Sequence, residues 1–179
     1  MNELFNKALD LFENGQLEKS KKICLEILKK NPDDFDTLYL LGIINFQKKN
    51  YTDANHFFEK AIQINFDDAS IHNYNAISLV KLKKFNSAIN SWNNAVKINP
   101  NFAEAYNNKG GCFIEIKQFE NALQNFEEAI KIKPDFAEAY NNKGISLVKI
   151  KQFENALKSF ETAIKIKSNF SEPYINIGN

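Results

Sequence analysis

Nine residues, FAEAYNNKG, occur at 102–110 and again at 136–144. The two copies start 34 positions apart, and the same register runs through the chain. Between 101–134 and 135–168 about 24 of 34 positions are identical. Further columns hold the period: Ala54, Ala88, Ala122 and Ala156; Ala61, Ala95, Ala129 and Ala163; Phe58, Trp92, Phe126 and Phe160; Tyr51, Phe85, Phe119 and Phe153. Cys24 and Leu17 continue the last two columns one unit earlier, and Pro32, Pro100 and Pro134 form another. A period of this length means a supersecondary unit that cannot bury its apolar face alone and must stack on its neighbours.

Each unit reads as two helices. AEAYNNKGGCFIEI and FENALQNFEEAIKI both carry apolar residues at helical spacing and no internal proline. Asp135 to Glu138 has the form of a capping box, as do Asn101 to Glu104 and Asn169 to Glu172. Lys131, Lys133, Lys165 and Lys167 lie where cations complement the C-terminal end of the second helix. Gly42, Gly110 and Gly144, with Ala76 in the same column, allow the two helices of a unit to approach closely. Tyr106, Tyr140, Phe126 and Phe160 fill the space beside them.

This pattern resembles the tetratricopeptide repeat family over the whole chain. The resemblance rests on the 34-residue period, the Tyr106 to Gly110 element, and Phe113, Phe119, Ala122, Phe126, Ala129 and Pro134. Five units are expected near 1–34, 35–68, 69–102, 103–136 and 137–170, with a partial sixth at 171–179, forming one solenoid over 1–179. Departures from the family pattern are His72 in an aromatic column, Phe66 and Ser168 at the loop proline, and Lys7, Lys109 and Lys143 where leucine is usual. The fold implied is all-α, an α-solenoid of stacked antiparallel helix pairs wound as a right-handed superhelix. First helices would line its concave groove, and family members generally bind peptides or proteins there.

Other functional classes fit poorly. The net charge is +1 and all 23 basic residues are lysine, so the chain lacks the guanidinium groups best suited to phosphate and base edges. Nucleic acid is not an expected partner. No apolar run approaches transmembrane length and the N-terminus lacks signal-peptide form, so no membrane partner and a cytoplasmic location are expected. Cys24 and Cys112 occupy packing positions in units one and four and read as buried thiols of a reducing compartment. His72 reads as a packing residue and His56 as a surface one, while Glu115, Glu127 and Glu128 read as solvated helix faces. With no phosphate loop, metal-ligand cluster or nucleophile motif, the expectation is a non-enzyme without cofactor.

On the family geometry, the groove would be apolar near Phe5, Tyr39, Ile43 and Phe46 and would carry carboxamides at Asn73, Asn107, Asn108, Asn141, Asn142 and Asn176. Asparagine is a poor helix former, yet it offers both donor and acceptor, which suits the backbone of an extended peptide. Biased composition and duplication of unit four into unit five account for the same asparagines without a ligand. The apolar side chains, likewise, either meet a ligand or pack between repeats. The carboxylate clamp of chaperone-binding relatives has no counterpart: its places hold Asn73, Ile77, Asn108, Glu138 and Asn142, so chaperone C-terminal tails are not expected.

The leading reading is a non-catalytic scaffold that binds a protein segment in the groove. The alternative is a substrate-recognition arm of a larger transferase, because asparagine-lined arrays resemble the recognition arm of protein O-linked N-acetylglucosamine transferases. Tyr174, Ile175 and Ile177 carry the expectation that a further helix follows. Apolar end faces also give an expectation of self-association through the end repeats.

Overall fold

The structure, a computed structural model, describes residues 2–169 and 171–178; the side chains of Asn2, Ile175 and Ile177 lie outside that description. Among the described residues there are eleven α-helices and no strand. In chain order they are α1 (Asn2–Glu13), α2 (Leu17–Lys30), α3 (Phe35–Gln47), α4 (Tyr51–Ile64), α5 (Ala69–Lys81), α6 (Phe85–Ile98), α7 (Ala103–Glu115), α8 (Phe119–Ile132), α9 (Ala137–Lys149), α10 (Phe153–Ile166) and α11 (Ser171–Gly178). The fold class is the all-α solenoid. It is divided into two compact units, Met1–Ile98 and Asn99–Asn179. In the first, α1 packs on α2, α3 on α4 and α5 on α6, with α2 against α3 and α4 against α5. In the second, α7 packs on α8 and α9 on α10, with α8 against α9 and α10 against α11.

The turn inside each hairpin is built identically five times. Gly15, Lys49, Lys83, Lys117 and Lys151 all have positive φ, between 59° and 71°. At Lys117 the N–H donates to the Ile114 carbonyl at 2.9 Å and the next N–H, of Gln118, reaches back to Phe113 at 2.8 Å. That pair of bonds is the Schellman closure, which satisfies carbonyls left over at a helix end. Glycine is the usual residue there, and only the first repeat has it. In the other four a lysine holds the left-handed conformation, its long side chain free to extend into solvent at these exposed positions.

Across each hairpin the contact is a glycine under a ring. A Cβ on Gly42 would lie 2.3 Å from Phe58, one on Gly110 2.5 Å from Phe126, and one on Gly144 2.4 Å from Phe160. These distances are far inside van der Waals contact, so the ring occupies the volume that a side chain would need. The rings are sealed: Phe58 and Phe126 are 0 % exposed and Phe160 is 2 %. The alanine columns Ala54, Ala61, Ala122 and Ala129 are also 0 % exposed, which lets the helices close on both sides of each ring.

Helix starts differ from the sequence expectation. Asp135–Glu138 and Asn101–Glu104 do not form capping boxes: the N-cap residues of α9 and α7 are Phe136 and Phe102, with no side-chain cap bond. The glutamates turn instead to lysines that end the second helix of the same unit, Glu104 to Lys133 at 3.2 Å and Glu138 to Lys167 at 2.9 Å. A full charge at reach outcompetes a neutral backbone N–H for a carboxylate. That hydrogen bond holds the Glu138 carboxyl below the usual carboxylate range. Side-chain caps do form in the first unit, where Asp34 accepts from the Thr37 N–H and Asp68 from the N–H groups of Ser70 and Ile71.

Thr37 is fully buried on α3, and its hydroxyl finds no hydrogen-bond partner among the described residues. A buried hydroxyl without a partner costs about 1–3 kcal/mol. The near-isosteric Thr37→Val variant is therefore expected to gain about 1 kcal/mol, since it removes the orphan and keeps the shape. Urea unfolding would read this as a higher midpoint with an unchanged slope; a lower midpoint would contradict it.

Candidate functional site

The first helices α1, α3, α5, α7, α9 and α11 carry the residues singled out for ligand contact. In the second unit the carboxamides meet one another. Asn142 Nδ2 donates to Asn107 Oδ1 at 3.1 Å, and Asn176 Nδ2 donates to Asn141 Oδ1 at 2.9 Å. Both bonds run in the same sense, from the second asparagine of one repeat to the first asparagine of the repeat before it. They join residues 35 apart, one more than the period, because stacked helices bring neighbouring positions of the motif together.

Each bonded pair keeps hydrogen-bonding capacity. A carboxamide has two N–H donors and an oxygen with two lone pairs. The bond uses one N–H of Asn142 and one lone pair of Asn107, leaving donors on Asn107 beside an acceptor on Asn142. Both side chains are half-buried and reachable, whereas Asn141 is 5 % exposed and more enclosed. Asn108, also half-buried, has an interaction of its own. Asn73, 8 % exposed, is held from within its own hairpin: its Oδ1 accepts from the Trp92 indole N–H at 2.9 Å.

The apolar candidates lie in the first unit and are half-buried. Phe5 packs against the cluster of Ala8, Cys24, Leu40, Leu41 and Ile44. Tyr39, Ile43 and Phe46 pack against Leu38, Ala54, Phe58, Ala61 and Ile71. Tyr74 is the hub of the rings, with centroids 6.3 Å from Tyr39, 5.8 Å from Phe46 and 6.0 Å from Phe58. Burial pushes the Tyr39 phenol well above its ordinary range, so it stays a neutral hydrogen-bonding group. These side chains thus bridge repeats with one edge and present the other to solvent.

The histidines and cysteines occupy packing or surface positions. His72 is 1 % exposed, with Nε2 2.9 Å from the Phe66 carbonyl and its ring edge-on to Phe66 at 4.7 Å. His56 is exposed. Burial raises both thiols to about 11, so they are protonated and poor nucleophiles. Among the described residues no cluster of histidine, cysteine and carboxylates could hold a metal, and no helix is long and apolar enough to cross a membrane.

One polar feature escaped sequence reasoning. In the first unit, Asn55 Nδ2 donates to Asn75 Oδ1 at 2.5 Å, and Asn75 Nδ2 donates to Ser91 Oγ at 3.1 Å. All three are buried. The only available signal was Asn75 itself, which stands in the column occupied by Leu41.

Sequence models described as tetratricopeptide repeat match residues 103–136 and 137–170, and another of that description matches 5–69. A model described as TPR repeat matches 77–111. Among solved structures, MamA is 21% identical, with 92% of this chain and 96% of that one covered and a TM-score of 0.87. YrrB, described as a TPR protein with an unusual peptide-binding site, is 24% identical, covers 98% and 91%, and has a TM-score of 0.86. A tetratricopeptide repeat protein from Parabacteroides merdae is 19% identical, covers 98% and 70%, and has a TM-score of 0.88. At these identities the likeness is one of fold.

Proposed function

Because this chain belongs to the tetratricopeptide repeat family, we propose that it is a non-catalytic scaffold whose first-helix face binds an extended protein segment. The observation that carries this is the bonded pair of Asn107 and Asn142. By the capacity of the carboxamide, the pair retains both N–H donors and an oxygen acceptor, the complements of a peptide's C=O and N–H. A peptide backbone can satisfy both whatever its side chains are. Asn141 and Asn176 repeat the arrangement one repeat on, with Asn108 a further contact in the same unit. In the first unit, taken by itself, Phe5, Tyr39, Ile43 and Phe46 supply apolar anchoring through their solvent edges, beside the more enclosed carboxamide of Asn73. The two cysteines are both buried and stand in packing positions of different repeats, which supports a cytoplasmic setting for this work.

The test is an array of unrelated unstructured peptides probed with the whole chain. The double variant Asn107→Ala, Asn142→Ala is expected to lower affinity roughly tenfold for bound peptides of every sequence, since two hydrogen bonds at about 0.7 kcal/mol each are lost. Unchanged affinity, or a loss confined to one peptide sequence, would remove the carboxamides from the binding face.

A further inference from the structure

One edge of the first unit carries a patch of uncompensated lysines. The α3–α4 and α5–α6 turns lie side by side there, because α3 packs on α4, α5 on α6 and α3 against α5. The first turn holds Lys48 and Lys49; the second holds Lys83 and Lys84, with Lys81 at the end of α5. All five are exposed. Lys48 is paired with Glu18, and the other four have no ion-pair partner among the described residues. Both turns have the same closure: the Lys49 N–H donates to the Phe46 carbonyl and the Lys83 N–H to the Val80 carbonyl, each at 2.9 Å. The ammonium groups therefore hang from fixed backbone.

The sequence explains why these cations go unanswered. The second helix of every other hairpin has an acid in its first turn: Glu18 in α2, Asp53 in α4, Glu120 in α8 and Glu154 in α10. The first turn of α6 has none, and residues 69–98 contain no aspartate or glutamate. Asp53, in the neighbouring turn, is engaged by Asn50, whose Nδ2 donates to it at 2.7 Å. Lys83 also holds a left-handed backbone, φ 59°, which glycine adopts more readily. A charged side chain stands there against the preference of the turn. The opposite edge has the other sign: the α2–α3 and α4–α5 turns place Asp33, Asp34, Asp36, Asp67 and Asp68 against Lys29 and Lys30. An anionic group is thus drawn to one edge of the unit and repelled from the other.

We infer that the α3–α4 and α5–α6 turns form a docking edge for an acidic protein segment, with carboxylates spaced along an extended chain. Stacked helices lie about 8–10 Å apart, and three residues of extended chain span about 10 Å. Carboxylates three residues apart therefore reach Lys49 in one turn and Lys83 or Lys84 in the next. Nucleic acid and anionic membrane fit this edge less well. Four free lysines neutralise too few phosphates for a duplex, and lysine lacks the paired donors of a guanidinium. The aspartates of the opposite edge repel a broad anionic surface. The edge uses none of the residues of the first-helix face, so it is a second contact surface beside the one proposed above.

Fluorescence anisotropy of a labelled oligoglutamate peptide, titrated with the whole chain at low and at physiological salt, tests this. Binding is expected, about tenfold weaker at the higher salt. Lys81→Gln, Lys83→Gly and Lys84→Gln in one chain remove the charge while suiting the helix end and the turn. They are expected to lower affinity about tenfold, with helical circular dichroism unchanged. Lys149→Gln with Lys151→Gly, the matching change in the second unit, is expected to cost less than about twofold, because Glu154 stands in the first turn that follows. A peptide without acidic residues, bound through Asn107 and Asn142, is expected to keep its affinity in the first-unit variant. Failure of oligoglutamate to bind overturns the proposal. So does binding that is indifferent to the first-unit variant, or that the second-unit variant weakens equally. A duplex DNA fragment or a phosphatidylserine vesicle that binds these lysines more tightly than the peptide also overturns it, since the partner would then be of another class.

Discussion

Phe126→Ala is expected to destabilise the second unit by about 3–5 kcal/mol, the range for emptying a sealed phenylalanine site. The upper part of that range is the expected one, for a reason specific to this hairpin. The ring lies over Gly110, which has no side chain to swing into the vacancy, and is flanked by Ala122 and Ala129, which cannot extend. Relaxation would require α7 and α8 to move together as rods. Their neighbour α9 resists this because it packs on both. Urea unfolding followed by helical circular dichroism should show a separate early transition for the second unit, because stacked repeats are held by nearest neighbours. A loss below about 1.5 kcal/mol would mean that the hairpin collapses freely and that the glycine–ring contact is not its main tie.

Asn75→Ala is the second large effect, expected at about 2–4 kcal/mol. The side chain is 4 % exposed and stands between Asn55 and Ser91. Removing it leaves the Asn55 amide and the Ser91 hydroxyl buried without that partner, at about 1–3 kcal/mol for each orphaned group. The informative control is to remove the whole network. Asn55→Leu, Asn75→Leu and Ser91→Ala together should recover most of the loss, since apolar groups of similar size leave nothing unsatisfied. Leu41 occupies the Asn75 column one repeat earlier, fully buried, so the site is compatible with leucine. Calorimetric melting of the wild type and the two variants decides the matter: a triple variant no more stable than Asn75→Ala would show that the network does more than satisfy itself.

What could be read from the sequence follows from which contacts the period preserves. The glycine column and its ring lie 16 residues apart within one hairpin and recur, so the close approach was legible before any coordinates. The caps were not. The spacing of Asp135 and Glu138 suits a capping box, but Lys167 comes within reach of Glu138 only after the hairpin closes. The same limit hid the carboxamide pairing: Asn107 and Asn142 are visible as residues, and their bond depends on how one repeat leans on the next. The Asn55–Asn75–Ser91 network is harder still, because it occurs once, at positions where the repeats diverge, and repetition cannot point to it. The left-handed lysines had one clue, Gly15 at the head of their column.

The carboxamide bonds span 35 residues and are the longest side-chain hydrogen bonds described within either unit. The glycine–ring contacts span 16. A chain held by such short loops has low contact order, and low contact order means small loop-closure entropy and fast folding. During synthesis, a hairpin has its own glycine–ring contact as soon as its second helix is out of the ribosome, and its carboxamide tie about half a repeat later, once the next first helix follows. At the usual pace of about 5–20 residues per second, that interval is about 1–3 seconds. Translation therefore sets the order of assembly, with each new repeat closing onto a surface that is already folded.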